Sequence, residues 1–233
     1  MSGAPAENLT RPLLESALLA FVAGFVDCCG YIALFGLFSA HVTGNFITFG
    51  AALVASDGTL IAKLLALPVF VLTVATVRLW AIGRVTSAGA LGLSLVWAQA
   101  GALIGFMLVG IAASPIGQSE TPLAILAGML AVIAMAIQNA SARLAFADLA
   151  PTTVMTGNVT QSVIDAVDLL FPRLARSRPE VRARFAKMGP AVVGFALGAV
   201  LGAFGYARFG FLSLVVPILA LAVVAVAIGR VRS

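Results

Sequence analysis

The sequence predicts an all-α membrane protein of six transmembrane helices, built as two inverted three-helix repeats, each with a re-entrant half-helix after a Thr-Gly-Asn break. Three observations predict it. Of 233 residues, 61% are hydrophobic and only 10% charged, with a mean hydropathy of +1.11; a soluble domain is roughly half apolar and a quarter charged. Thr43-Gly44-Asn45 recurs as Thr156-Gly157-Asn158 in a chain with only four asparagines, Asn8, Asn45, Asn139 and Asn158. The basic residues, finally, sort by side of the bilayer.

A spanning helix needs about 20 apolar residues at a rise of about 1.5 Å each. Six stretches meet this, near 14–37, 64–83, 89–111, 122–145, 188–206 and 209–229. With their connections they take up nearly the whole chain. Residues 1–233 are therefore read as one integral membrane domain, with repeat 1 at 14–112, repeat 2 at 122–229 and a basic cytoplasmic connector at 172–187. The apolar run after Arg11 is too long for a signal-peptide core, so it is expected to stay as the first span.

Placing the N-terminus in the cytoplasm puts twelve of the fourteen Lys and Arg residues inside, with only Lys63 and Arg208 outside. That asymmetry is the positive-inside pattern, and it predicts that both termini are cytoplasmic. It also accounts for the net charge of +5 without nucleic acid as a partner. The connector, from Arg173 to Lys187, suits anionic headgroups, each cation adding about 1 kcal/mol near the surface.

The cysteines, Cys28 and Cys29, are adjacent; on a helix they point about 100° apart and form no ordinary disulfide. With His41 the sole histidine and no metal-spaced cluster, neither a metal nor a cofactor is expected. No GxSxG or phosphate loop is present, so an enzyme is not expected either.

The repeat carries the remaining information. Asp27 precedes Thr43 by sixteen residues, and Asn139, beside Gln138, precedes Thr156 by seventeen. One inserted residue brings the two into register. Three spans per half start the second half on the opposite face, which makes the repeats inverted. The stretches after each Asn, 46–54 and 159–171, are too short to span, ten helical residues reaching about 15 Å. They read as half-helices, with Thr and Asn capping free N–H groups and Gly permitting the reversal. Two half-helix N-termini meeting near the bilayer centre carry partial positive charge and unpaired donors. The expected solute-binding set is Thr43, Gly44, Asn45, Gln138, Asn139, Thr156, Gly157 and Asn158.

Asp27 falls near mid-span, where an aspartate costs about 2.5–3.5 kcal/mol. It needs protonation or a partner: His41, the N–H groups at Asn45 or Asn158, or the amides of Gln138 and Asn139. Asp27 and His41 are the expected coupling residues, unless Asp27 merely ties helices together, a bond worth about 0.6 kcal/mol in membranes. Asp165 and Asp168 are expected at the cytoplasmic rim. Gly194, Gly198 and Gly202 form a small-residue stripe for close helix packing, inside the bundle by default or in a homodimer.

Gly24-Phe25-Val26-Asp27 leading to His41-Val42-Thr43-Gly44-Asn45, with Gln138-Asn139-Ala140 leading to Thr156-Gly157, resembles the YoaK-like family of bacterial inner-membrane proteins, a domain of unknown function. The resemblance runs from Leu14 to Gly229. It implies a multi-pass protein of the bacterial inner membrane, presumed a transporter, with no substrate attached. The residues themselves lead to a secondary transporter or channel for a small polar or anionic solute, coupled to protons or cations, with the lipid bilayer and that solute as partners. The competing expectation is a membrane protein that transports nothing.

Overall fold

The computed structural model of the protein describes residues 7–55, 60–84, 87–117, 120–171 and 178–230. Eight α-helices carry these residues: α1 (Glu7–Ala33), α2 (Asn45–Ala55), α3 (Ile61–Arg84), α4 (Ala88–Ala113), α5 (Pro122–Leu144), α6 (Met155–Leu170), α7 (Arg178–Phe209) and α8 (Val215–Gly229). Short 3-10 turns precede α2 and α8, at Val42–Gly44 and Gly210–Leu214.

Local chemistry fixes several helix starts. Ser87 accepts from Ala90 N–H at 3.3 Å and Thr121 from Ala124 N–H at 3.2 Å, each satisfying a donor that the first turn leaves free. Pro122, with no N–H to lose, opens α5. At α3 the cap comes from a distant segment: the Glu120 carboxylate accepts from Ile61 N–H at 2.8 Å and Ala62 N–H at 3.0 Å. That bond sets the starts of α3 and α5 at the same end of the bundle.

Helix directions follow from residue pairs. A Cβ on Gly194, Gly198 or Gly202 would stand 2.3, 2.1 and 2.6 Å from the carbonyl oxygens of Ala17, Phe21 and Phe25. Both series rise together, so α1 and α7 run parallel at backbone contact, with the glycine stripe buried inside the chain. Such proximity is possible only where side chains are absent. In contrast, α4 and α5 are antiparallel, Gly92 lying against Phe146 and Gly105 against Leu130. α1 and α5 are antiparallel too: Gln138 reaches Leu19 while Gly128 sits under Leu34 and Leu37.

Among the described residues, five helical runs are long and apolar enough to cross a membrane: Pro12–Ala33, Ile61–Gly83, Ala88–Ala113, Pro122–Leu144 and Arg178–Gly229. The fifth holds both of the last two expected spans. Its break is the turn at Gly210, where φ of +57° is a left-handed value that glycine tolerates. Phe211 there packs on Phe106 at a ring distance of 5.5 Å. The spanning windows of α1 and α5 are each 67% buried, that of α3 only 17%; the first helix of each half is central and α3 is peripheral.

Two expectations need adjustment. Residues 178–187 of the expected connector are helical and form the first turns of α7, and residues 172–177 lie outside the described residues. The second Thr-Gly-Asn does not precede its helix either; α6 begins at Met155, so Thr156 to Asn158 occupy its first turn. α2 rests on α3 and α6 on α7.

Candidate functional site

The chain leaving α1 turns back through Phe35 and Gly36, both at positive φ, and lays residues 39–41 against the last turns of α1 at Asp27. Asp27 holds it there. Its Oδ1 accepts from Ser39 N–H at 2.7 Å, Ala40 N–H at 2.8 Å and Ser39 Oγ at 3.2 Å. Its Oδ2 lies 2.7 Å from His41 Nδ1. Four donors thus converge on one buried carboxyl group, which as an acceptor-only carboxylate can serve them all. Of the partners expected for Asp27, His41 is found; the backbone donors come from Ser39 and Ala40.

Asn45 acts on the same loop. It accepts from Phe38 N–H at 2.9 Å and donates through Nδ2 to Phe38 C=O at 2.7 Å. The second half repeats the arrangement seven residues apart again, Asn158 Nδ2 donating to Pro151 C=O at 2.6 Å. Proline has no N–H to return, so the clip there has one bond fewer. Likewise Thr153 Oγ1 donates to Asn139 Oδ1 at 2.7 Å, fourteen residues apart, the same separation as Asp27 and His41.

Gln138 is fully buried and ties three elements together. It donates to Leu19 C=O at 2.7 Å and Thr152 Oγ1 at 3.0 Å, and accepts from Gln99 Nε2 at 2.7 Å. Thr43, Thr156 and Gly157 are exposed, and Gly44 is held under the Phe38 ring, 2.9 Å from where its Cβ would be.

Two clefts result. The first, about 500 Å³, lies between α1 and α7 and is lined by Gly24, Asp27, Cys28, Tyr31, Phe38, His41, Phe195 and Ala199. His41 sits edge-on to Phe195 at 5.4 Å and Tyr31 packs on Phe38 at 4.9 Å. A second of about 310 Å³ lies between α5 and α3, lined by Asn139, Ala140, Arg143, Leu144, Phe70, Val74 and Arg78. Neither cleft is lined by a Thr-Gly-Asn residue. Of the expected set, Asp27 and His41 meet in the first cleft and Asn139 reaches the second; Asn45, Asn158 and Gln138 are engaged with neighbours in the chain.

Sequence reasoning passed over Gln99, the cleft walls Tyr31, Phe38 and Phe195, and the joint placement of Arg78 with Arg143. Gln99 had a signal, being a polar residue in an apolar span. Asp165 was placed at an open rim; instead it is buried, accepting two bonds from Arg184 Nε at 3.0 Å and one from Gln161 at 2.9 Å. The Arg184 guanidinium holds its carboxyl below the usual aspartate range.

The described residues form an all-helical bundle whose several membrane-length apolar helices are those of a multi-pass membrane protein. The chain belongs to the family described as Protein of unknown function (DUF1275), whose model matches residues 16–227. No curated protein and no solved structure matches it.

Proposed function

We propose that this protein is a small secondary transporter of the bacterial inner membrane, moving a small polar solute through the α1–α7 cleft with proton coupling at Asp27 and His41. The observation that carries the reading is a carboxylate–imidazole pair on the wall of a 500 Å³ cleft, about 9 Å inside the end of a membrane-length helix. Ionisable groups at such depth are costly and are kept where they do work. The roles differ. Three donors fix Oδ1 and anchor Asp27, whereas the imidazole, with 36% of its side chain exposed, is the group free to load and release a proton. Its Nδ1 serves Asp27, leaving Nε2 for exchange.

The inverted repeat is part of this proposal. Supporting it are the antiparallel α1 and α5, the Asn45 and Asn158 clips, and the Asp27–His41 and Asn139–Thr153 bonds at equal spacing. In this reading α1, α3, α4, α5, α7 and α8 are the six spans, and α2 and α6 are half-helices. Lys63 and Arg208 then share the outer end while Arg78, Arg143 and the start of α7 share the inner one, with both termini in the cytoplasm.

That both Thr-Gly-Asn asparagines are spent on loop clips favours the other reading, a protein that only assembles. Proteoliposomes filled with a pH-sensitive dye separate them. Adding solutes one class at a time should give a lumenal pH change for one class with the wild type and none with Asp27→Asn. A pH change that persists in Asp27→Asn would remove the coupling assignment.

A further inference from the structure

The two clefts occupy equivalent places in the two halves, and their charges are opposite. Asp27, Cys28 and Tyr31 line the first; Asn139, Ala140 and Arg143, each 112 positions on, line the second. Across from them, Phe195 and Ala199 of α7 are matched by Phe70 and Val74 of α3, at the same four-residue spacing. Where the first cleft has a carboxylate, the second has a neutral amide, Asn139, and two guanidiniums, Arg78 and Arg143. Among the described residues no carboxylate is hydrogen-bonded or ion-paired to either arginine.

We infer that this second cleft is a binding site for an anionic phospholipid, its phosphate between Arg78 and Arg143 and an acyl chain along Phe70 and Val74. Charge complementarity selects an anion, since two cations without a described acidic partner share one cleft and Asn139 offers a polar wall. The surroundings select a lipid. The cleft's walls are chiefly apolar, and α3, with 17% of its window buried, is the peripheral helix facing the bilayer. Both arginines also lie towards the C-terminal ends of helices that start together at Glu120, so they stand at one end of the bundle. There a phosphate at the membrane surface and a chain running inwards both fit, in the manner of basic pockets between spanning helices. The inference stands whether or not the protein transports.

The test compares phosphatidylglycerol, phosphatidylcholine and inorganic phosphate on the purified full chain, by native mass spectrometry and by thermal stability in detergent. Phosphatidylglycerol is expected to stay bound and raise Tm, phosphatidylcholine to do neither, and inorganic phosphate to leave Tm unchanged. Arg78→Gln with Arg143→Gln should weaken phosphatidylglycerol binding about thirtyfold. Val74→Trp, which fills the apolar wall and keeps both charges, should weaken it too. Equal retention by the double variant, or equal retention of phosphatidylcholine by the wild type, would overturn the site. Protection by inorganic phosphate equal to that by phosphatidylglycerol would overturn the lipid and assign a soluble anion.

Discussion

His41 Nδ1 lies 2.7 Å from Asp27 Oδ2, and the carboxylate that receives it is held from its other oxygen by the backbone of Ser39 and Ala40. One side chain therefore serves two purposes. It folds the loop after α1 back onto the helix, and it orients the imidazole in the cleft. Substitutions that keep or remove Oδ1 pull these purposes apart.

Asp27→Asn retains an Oδ1 acceptor for Ser39 and Ala40, so thermal stability in detergent should change little while coupled flux is lost. Asp27→Ala removes the acceptor and leaves two buried N–H groups unpaired, at about 1–3 kcal/mol each. It should lower Tm clearly more than Asp27→Asn does. Equal losses of stability would show that the hydrogen-bonded loop is not what Asp27 supports.

Replacing His41 by Gln keeps a donor beside Asp27 but removes the titration. The wild-type rate should change between about pH 5 and 8, the range in which a histidine changes charge. His41→Gln should give a flat profile across it. A profile unchanged by the substitution would move the titrating group elsewhere.

Packing of α1 on α7 depends on the absence of a side chain at Gly198, where a Cβ would stand 2.1 Å from Phe21 O. Gly198→Val must push the helices apart, and overpacking of this kind costs about 1–3 kcal/mol or more. Gly101, inside α4, has nothing within 4 Å of its Cβ position. Gly101→Ala should be neutral or stabilising by about 0.5–1 kcal/mol, since glycine weakens a helix interior. Urea or thermal unfolding of the two variants gives the comparison.

At the α6–α7 contact, Arg184 holds the Asp165 carboxyl below the usual range. An unfolded aspartate titrates near about 3.9, so the folded state binds fewer protons than the unfolded one around that value. The pair's stabilisation is complete above it and is lost as pH falls through the lower folded value. Thermal stability measured from pH 7 down to about pH 3 should therefore fall in the wild type, and Arg184→Gln should start lower and lose that part of the slope.

Much of this fold was legible because apolar length and glycine stripes are local properties of the chain. Asn139 and Asp27 could be set side by side from spacing alone, and each bonds to a residue fourteen positions on, Thr153 and His41. What spacing could not give was partner identity. Asn45 reads as a helix cap, yet the loop after α1 brings Phe38 within reach of its amide, and both ends of the amide are taken. Asp165 reads as a solvent-facing residue on a polar helix face until α7 carries Arg184 over it. Arg78 and Arg143, far apart in sequence, line one cleft because α3 and α5 pack side by side.

The central claim is coupling at Asp27, and an imposed pH gradient tests it most directly. With a solute identified by the dye screen, one unit of pH gradient across proteoliposomes can drive about tenfold accumulation of a neutral solute at one proton each. The account predicts accumulation approaching that ratio for the wild type and a ratio near one for Asp27→Asn, with both proteins folded and inserted. Accumulation by Asp27→Asn equal to that of the wild type would contradict it.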